Sequence, residues 1–110
     1  MSFRSFQSYR IPDLAFFTFE QIGTSTREEN PVPGFVIEII SPNDVRRHIQ
    51  KKLAEYFRAG VVVVWHIEPA FEIVRVCRSL TDIESYQGPA RCSGGPAFSE
   101  FSMTVDQILA

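Results

Sequence analysis

Residues 35 to 40 read Phe35-Val36-Ile37-Glu38-Ile39-Ile40, a short run that is apolar on both faces except at Glu38. Runs of this kind are typical of strands that are covered on both sides of a sheet. The run follows a turn signal, Pro31-Val32-Pro33-Gly34. It therefore predicts a buried strand that carries one carboxylate in its interior.

The next four residues, Ser41-Pro42-Asn43-Asp44, carry the signals of a helix start. Ser can cap the first backbone N–H groups, Pro suits the first helical position, and Asp can return a capping-box hydrogen bond. Apolar side chains then recur at helical spacing, at Val45, Ile49, Leu53, Tyr56 and Phe57. A basic last turn is followed by Gly60, a common helix terminator. The pattern predicts a helix over residues 42 to 59.

Residues 61 to 67, Val61-Val62-Val63-Val64-Trp65-His66-Ile67, form a second continuous apolar run and predict another buried strand. Strand, helix and strand in this order predict a right-handed βαβ unit. The turn at residues 68 to 70 is short enough to force an antiparallel hairpin with a strand over residues 71 to 77. The expected fold class is therefore α/β with a mixed sheet.

The flanking segments are less regular. Residues 13 to 19 are aromatic-rich and predict a first strand. Residues 79 to 96 are rich in Gly, Ser and Pro and predict a long surface segment. Residues 98 to 109 become apolar again and predict a closing strand or a short helix.

Composition limits the class of protein. A length of 110 residues predicts one domain over residues 1 to 110, and 45% hydrophobic with 22% charged residues excludes wholesale disorder. The net charge of -2 argues against a broad basic surface, so a polyanion would bind a local patch. Cys77 and Cys92 suggest neither a zinc site nor a disulfide framework. No apolar run reaches membrane-spanning length, which predicts a soluble cytoplasmic protein.

Two charged residues stand at positions where apolar ones are expected. An ionised Glu38 inside a buried strand needs a cation or hydrogen-bond donors, unless its face opens to solvent. Lys52 lies about 20° from Val45 on a helical wheel, on the stripe that faces the sheet, whereas Lys51 at about 240° points to solvent. The alternative for Lys52 is that its stem snorkels along the rim of the helix.

Asp13 opens the predicted first strand, where Asp is common for purely local reasons. Together with Glu38 on a second strand and Lys52 on the next helix, it supplies two oxygen ligands for a divalent cation and one group to orient water. This combination is typical of phosphodiester cleavage. His48 and His66 are interpreted as structural or incidental. A basic helix face could meet phosphates and comprises Arg46, Arg47, Lys51 and Arg58.

Four segments in this order resemble the Uma family of restriction-endonuclease-like proteins, within the PD-(D/E)XK nuclease superfamily. They are residues 11 to 16, residues 36 to 44, residues 52 to 61 and residues 65 to 69, and residues 101 to 109 resemble the ending of that family. Members of the family usually carry a longer stretch before the Pro-Asp motif, here Pro12-Asp13. The resemblance therefore implies a restriction-endonuclease-like mixed sheet around a central βαβ unit, truncated at its amino terminus.

The resemblance also implies a site. Asp13 and Glu38 would lie on adjacent antiparallel strands, with their carboxylates within roughly 6 Å of each other, and bind Mg²⁺ with the main-chain carbonyl of Ile39. Ile40 stands where the superfamily has its Lys, and Lys52 would supply that group from the helix. Tyr56, one turn later, would support the stem of the lysine.

The residues and the resemblance leave three alternative functions. The first is a metal-dependent nuclease acting on DNA, with Asp13, Glu38 and Lys52 as its site residues. The second is a non-catalytic interaction or assembly module that keeps the nuclease-like core. A small-molecule α/β domain is a third possibility, but the sequence has no Gly-rich phosphate loop. A shortened sheet with an open edge also predicts a homodimer.

Overall fold

The computed structural model of the chain describes residues 13 to 16 and 32 to 110. Its strands are β1 (Leu14–Phe16), β2 (Phe35–Ile39), β3 (Val63–Glu68), β4 (Ile73–Cys77), β5 (Ile83–Tyr86), β6 (Arg91–Gly94) and β7 (Phe98–Thr104). Its α-helices are α1 (Arg46–Ala59), between β2 and β3, and α2 (Val105–Leu109), after β7. A single 3₁₀ turn, Pro69–Phe71, joins β3 to β4.

Five strands form a mixed sheet in the order β1-β2-β3-β4-β5. β2 and β3 are parallel and are joined through α1, as the predicted βαβ unit requires. The pairs β1–β2, β3–β4 and β4–β5 are antiparallel, and the second of these is the predicted hairpin. The mixed α/β fold class predicted from the sequence is confirmed.

The sheet is buried on both faces, which explains the continuous apolar runs of β2 and β3. On one face, α1 packs its Leu53 and Tyr56 against the sheet. On the other face, β6 and β7 form a two-stranded sheet that, with α2, covers a cluster around Phe35 and Trp65. The indole Nε1 of Trp65 donates a hydrogen bond to the backbone oxygen of Ser93 at 2.9 Å and ties the two sheets together.

The helix start is four residues later than predicted. The expected capping groups of Ser41 and Asp44 act within a separate turn: Oδ2 of Asp44 accepts the backbone N–H of Ser41 at 2.8 Å, and the hydroxyl of Ser41 accepts the backbone N–H of Asn43 at 3.0 Å. Val45 then adopts extended backbone angles and is exposed. The turn thus uses the hydrogen bonds that would otherwise have begun the helix.

Two further predictions need correction or restriction. The segment over residues 79 to 96, expected to be a surface loop, contains β5 and β6, because short polar strands at a sheet edge need no apolar alternation. Of the first strand predicted over residues 13 to 19, residues 14 to 16 form β1 and residues 17 to 19 lie outside the described residues. The last segment forms both expected elements, β7 and then α2.

Candidate active site

Asp13 and Glu38 meet where β1 begins and β2 ends. The antiparallel register pairs Leu14 with Ile37, so the preceding Asp13 stands beside Glu38. The backbone N–H of Asp13 donates to Oε2 of Glu38 at 3.1 Å, and the N–H of Ile39 donates to Oδ2 of Asp13 at 2.7 Å. Hydrogen bonds from backbone N–H groups therefore hold the two carboxylates side by side.

Lys52 reaches the same place from the middle of α1. Its Nζ forms an ion pair with Oε1 of Glu38 and lies 5.9 Å from the centroid of the Tyr56 ring. Lys51 is exposed, as the helical wheel predicts. The orientation of Lys52 toward the sheet is confirmed, and the distance of its ammonium from the Tyr56 ring is at the outer limit of a cation–π contact.

These contacts explain how β2 carries a carboxylate in its interior. Glu38 is only 5% exposed. Its Oε1 faces the Lys52 ammonium, and its Oε2 accepts the hydrogen bond from Asp13. A buried carboxylate is tolerated when both a cation and hydrogen-bond donors compensate its lost hydration. The requirement that Glu38 be paired, deduced from the sequence, is met by Lys52.

His66 lies beside Glu38 on the next strand. The parallel register of β2 and β3 pairs Glu38 with His66, and the register of β3 and β4 pairs His66 with Arg75. The residue is only 7% exposed. Burial lowers the pKa of His66 from 6.5 to about 4, and the positive charges of Arg75 and Lys52 act in the same direction. The imidazole is therefore neutral near pH 7.

A cavity of about 390 Å³ opens at these residues. Its wall contains Asp13, Glu38, Lys52 and both histidines, together with the turn at Asn43 and Asp44. Sequence reasoning set His48 and His66 apart from the site, and the structure places both in its wall. The signal that could have found His66 is the pairing of two parallel strands, which brings a residue of β3 next to Glu38.

Ile39 and Ile40 also line the cavity at the end of β2. The side chain of Ile39 is 54% exposed, and the backbone N–H of Ile40 donates to the oxygen of Ile67 at 2.7 Å. An apolar side chain thus stands at position 40, where the resemblance expects a lysine in the superfamily. The ammonium at this cavity comes instead from Lys52 on α1.

The cavity offers a magnesium ion two carboxylates, those of Asp13 and Glu38. Among the described residues, no three side chains of His, Cys, Asp or Glu are grouped closely enough to hold a metal ion together. Mg²⁺ commonly takes only one or two protein carboxylates and keeps several waters, so Asp13 and Glu38 suffice in number and type. The two carboxylates therefore fit a hard divalent cation, which would compete with the Lys52 ammonium for Oε1 of Glu38.

The lowered pKa of His66 predicts that acid destabilises the fold. The unfolded chain binds a proton near pH 6.5 and the folded chain near pH 4, so this contribution is complete above pH 6.5 and is lost as the pH falls toward 4. We expect it to lower the free energy of unfolding by roughly 2 to 3 kcal/mol between pH 7.5 and pH 4.5. Urea unfolding of wild type and His66→Gln at both pH values measures this difference. Equal pH dependence in both proteins would contradict it.

The class of protein is that of the restriction-endonuclease-like α/β domains, as a family match and a solved structure both show. The family Uma2, described as "Putative restriction endonuclease", matches residues 3–106. The match includes nearly the whole chain, and the chain belongs to this family.

A solved structure supports the same fold. The crystal structure of a protein described as a "putative nuclease belonging to DUF820", from Anabaena variabilis, superimposes with a TM-score of 0.74 at 23% sequence identity. The alignment covers 91% of this chain and 59% of the Anabaena protein. A search of curated proteins finds no match. Within the described residues, no helix has the length and apolar character needed to cross a membrane.

Proposed function

We propose that this chain hydrolyses phosphodiester bonds in DNA with the help of Mg²⁺. Asp13 and Glu38 would hold the metal, with the main-chain carbonyl of Ile39, and Lys52 would position the attacking water. The observation that carries the proposal is that these two carboxylates and this ammonium, from three separate elements, converge on one cavity. Membership of a family described as putative restriction endonucleases supports it independently.

Each residue of the site has a separate role in the proposed reaction. A bound Mg²⁺ supplies a Lewis acid and lowers the pKa of coordinated water. Asp13 keeps a fixed orientation because the backbone of Ile39 holds one of its oxygens. Glu38 is buried, so its charge acts at low dielectric. Lys52 places a positive charge beside the position where negative charge develops on the phosphoryl group, which is the usual electrostatic contribution to phosphodiester cleavage.

DNA is proposed as the substrate because α1 carries Lys52 of the candidate site and a basic surface on the same helix. Four side chains of the helix are exposed cations, namely Arg46, Arg47, Lys51 and Arg58. The protein has a net charge of -2, so this is a local patch. Cations on such a patch bind the phosphate backbone without reading sequence.

The direct test is cleavage of plasmid and single-stranded DNA by the purified chain. We expect nicking or cleavage in Mg²⁺ or Mn²⁺ and none in EDTA. Isothermal titration calorimetry with Mg²⁺ in parallel reports metal binding separately from chemistry. DNA binding without cleavage at any metal concentration would contradict the nuclease proposal and favour the interaction module.

A homodimer is also proposed. In the described part of the chain, β5 lies at one edge of the main sheet, with Ile83 on it and Leu80 just before it, and both side chains are exposed. Open edge strands with apolar residues are commonly covered by pairing. We expect sedimentation equilibrium to give twice the mass of the chain at tens of micromolar. The interface of the dimer should bury more than ~1,000 Å². A monomer at these concentrations would contradict the proposal.

The cytoplasmic location stays a prediction.

A further inference from the structure

We infer that the cavity at the candidate site receives one unpaired nucleotide of a DNA strand, with its phosphate at the carboxylates and its base and sugar against an aliphatic wall. The inference rests on the proposed function, because it assumes that a phosphodiester binds at Asp13 and Glu38. It adds a substrate class: the scissile phosphate lies beside a nucleotide that is single-stranded or flipped out of a duplex.

The cavity is lined by two kinds of side chain. Beside the charged groups described above, three aliphatic residues line it, namely Ile40, Val45 and Ile49, and we call them the aliphatic wall. Val45 and Ile49 are one helical turn apart, since the backbone N–H of Ile49 donates to the oxygen of Val45 at 3.1 Å. Ile40 follows Glu38 by two residues along the strand direction, so it lies on the same face of the sheet. Charged and apolar surfaces therefore meet in one cavity.

The aliphatic wall leaves apolar surface exposed beside a charged site. Val45 is 49% exposed, and Ile40 and Ile49 are half-buried. A single exposed valine needs no explanation, but neighbouring aliphatic side chains in one cavity are suited to an apolar part of a ligand. The outer surface of a duplex offers phosphates, because its bases are stacked inside. A nucleotide taken out of the stack offers its base and its sugar to such a wall.

The depth and the size of the cavity suit one nucleotide. Glu38 is only 5% exposed, whereas Asp13 and Val45 are exposed, so Glu38 lies at the inner end of the cavity and the other two at its opening. A phosphate that binds near Glu38 must enter the cavity, and the adjoining nucleotide must leave its stack to follow. The volume of about 390 Å³ is within the range of ligand-sized pockets, ~300 to 1,000 Å³.

This arrangement predicts an order of substrates. Taking a nucleotide out of the stack costs most in a paired duplex, less at a mismatch and least in a single strand. We expect kcat/KM for a single strand, and for a duplex with a mismatched bubble, to exceed that for the fully paired duplex by about 10-fold or more. The basic face of α1 cannot produce this order by itself, because a duplex has the higher charge density and attracts cations at least as strongly.

A cycle of protein and substrate variants tests the aliphatic wall. Val45→Ser is compared with wild type on a normal single strand and on an abasic strand, which has the same phosphates and no bases. Val45 occupies the N-cap position of α1 without a capping hydrogen bond from its side chain, and Ser is favoured there, so the variant is expected to fold. We expect kcat/KM to fall about 5-fold on the normal strand, the scale of withdrawing half of a valine side chain from a ligand, and less than about 2-fold on the abasic strand.

Val62→Ser is the matched control for this cycle. Val62 is a second exposed valine, at 41%, and is not among the residues that line the cavity. Its substitution removes the same methyl groups elsewhere on the surface, so the rates on both strands should stay unchanged. A loss on the normal strand equal to that of Val45→Ser would overturn the inference.

Binding measurements distinguish this inference from the proposed function. Fluorescence anisotropy of labelled normal and abasic strands in Ca²⁺ should show the same dependence on Val45 as the cleavage rates. If binding shows it but no strand is cleaved in Mg²⁺, the inference stands and the nuclease proposal fails. If DNA is cleaved but the paired duplex reacts as fast as the single strand, or Val45→Ser acts equally on normal and abasic strands, the inference is overturned and the nuclease proposal stands. If wild type neither binds nor cleaves DNA, both fail.

Discussion

Replacing Glu38 with Gln is expected to lower Mg²⁺-dependent cleavage by about 10³-fold, because a metal ion contributes several kcal/mol of transition-state stabilisation and the neutral amide holds it poorly. Glu38 is also the carboxylate that pairs with Lys52, so the substitution disturbs both proposed catalytic groups at once. Initial rates of plasmid nicking across a Mg²⁺ titration measure the loss. Calorimetry on the same variant should show weakened metal binding.

Glu68→Gln is the matched control for this prediction. Glu68 lies at the end of β3, the neighbouring strand, and pairs with Arg75. It is not among the residues that line the cavity. Its substitution removes a partly buried carboxylate from the same sheet without touching the proposed metal ligands. Comparable losses in both variants would indicate a general disturbance of the sheet and contradict the assignment of Glu38.

The core elements could be predicted because their residues carry the signal themselves. A run such as β3 is apolar on both faces, and only a strand between two covering layers needs that composition. β5 and β6 gave no such signal, since β5 lies at the sheet edge and β6 belongs to a two-stranded sheet. The late start of α1 has a different cause, because Ser41 and Asp44 satisfy a turn as well as they would satisfy a helix cap.

The candidate site, too, could be predicted from the sequence only in part. Helical periodicity relates residues of one element, so it could assign Lys52 to the sheet-facing side of α1 without knowledge of the sheet. The position of Asp13 beside Glu38 came from the resemblance to a family. His66 could not be assigned in either way, since its place next to Glu38, 28 positions away in the sequence, depends on the register between two strands. Registers of this kind are set by tertiary packing.

Replacing Lys52 with Ala is expected to lower Mg²⁺-dependent cleavage by about 10²-fold, the scale of losing a positioned acid, base or electrostatic stabiliser. Leu53 and Tyr56 keep the core contacts of the helix, but Glu38 loses the cation that compensates its burial, so thermal unfolding of the variant is measured first and cleavage is compared below its unfolding transition. The ion pair with Glu38 competes with the metal, so removing the ammonium should tighten Mg²⁺ binding while cleavage falls. Paired calorimetry and nicking assays test both directions.

Lys51→Ala separates this role from a general effect of positive charge on DNA binding. Lys51 is the adjacent residue on α1, carries the same charge and is exposed. Its loss removes one cation from the basic face, so cleavage should fall only a few-fold and its dependence on salt should weaken slightly. If Lys52 only snorkelled along the helix rim, its truncation would have an equally small effect. Equal losses at the two positions would show that Lys52 is not the catalytic lysine, and weaker metal binding in Lys52→Ala would show that its ammonium does not compete with the metal.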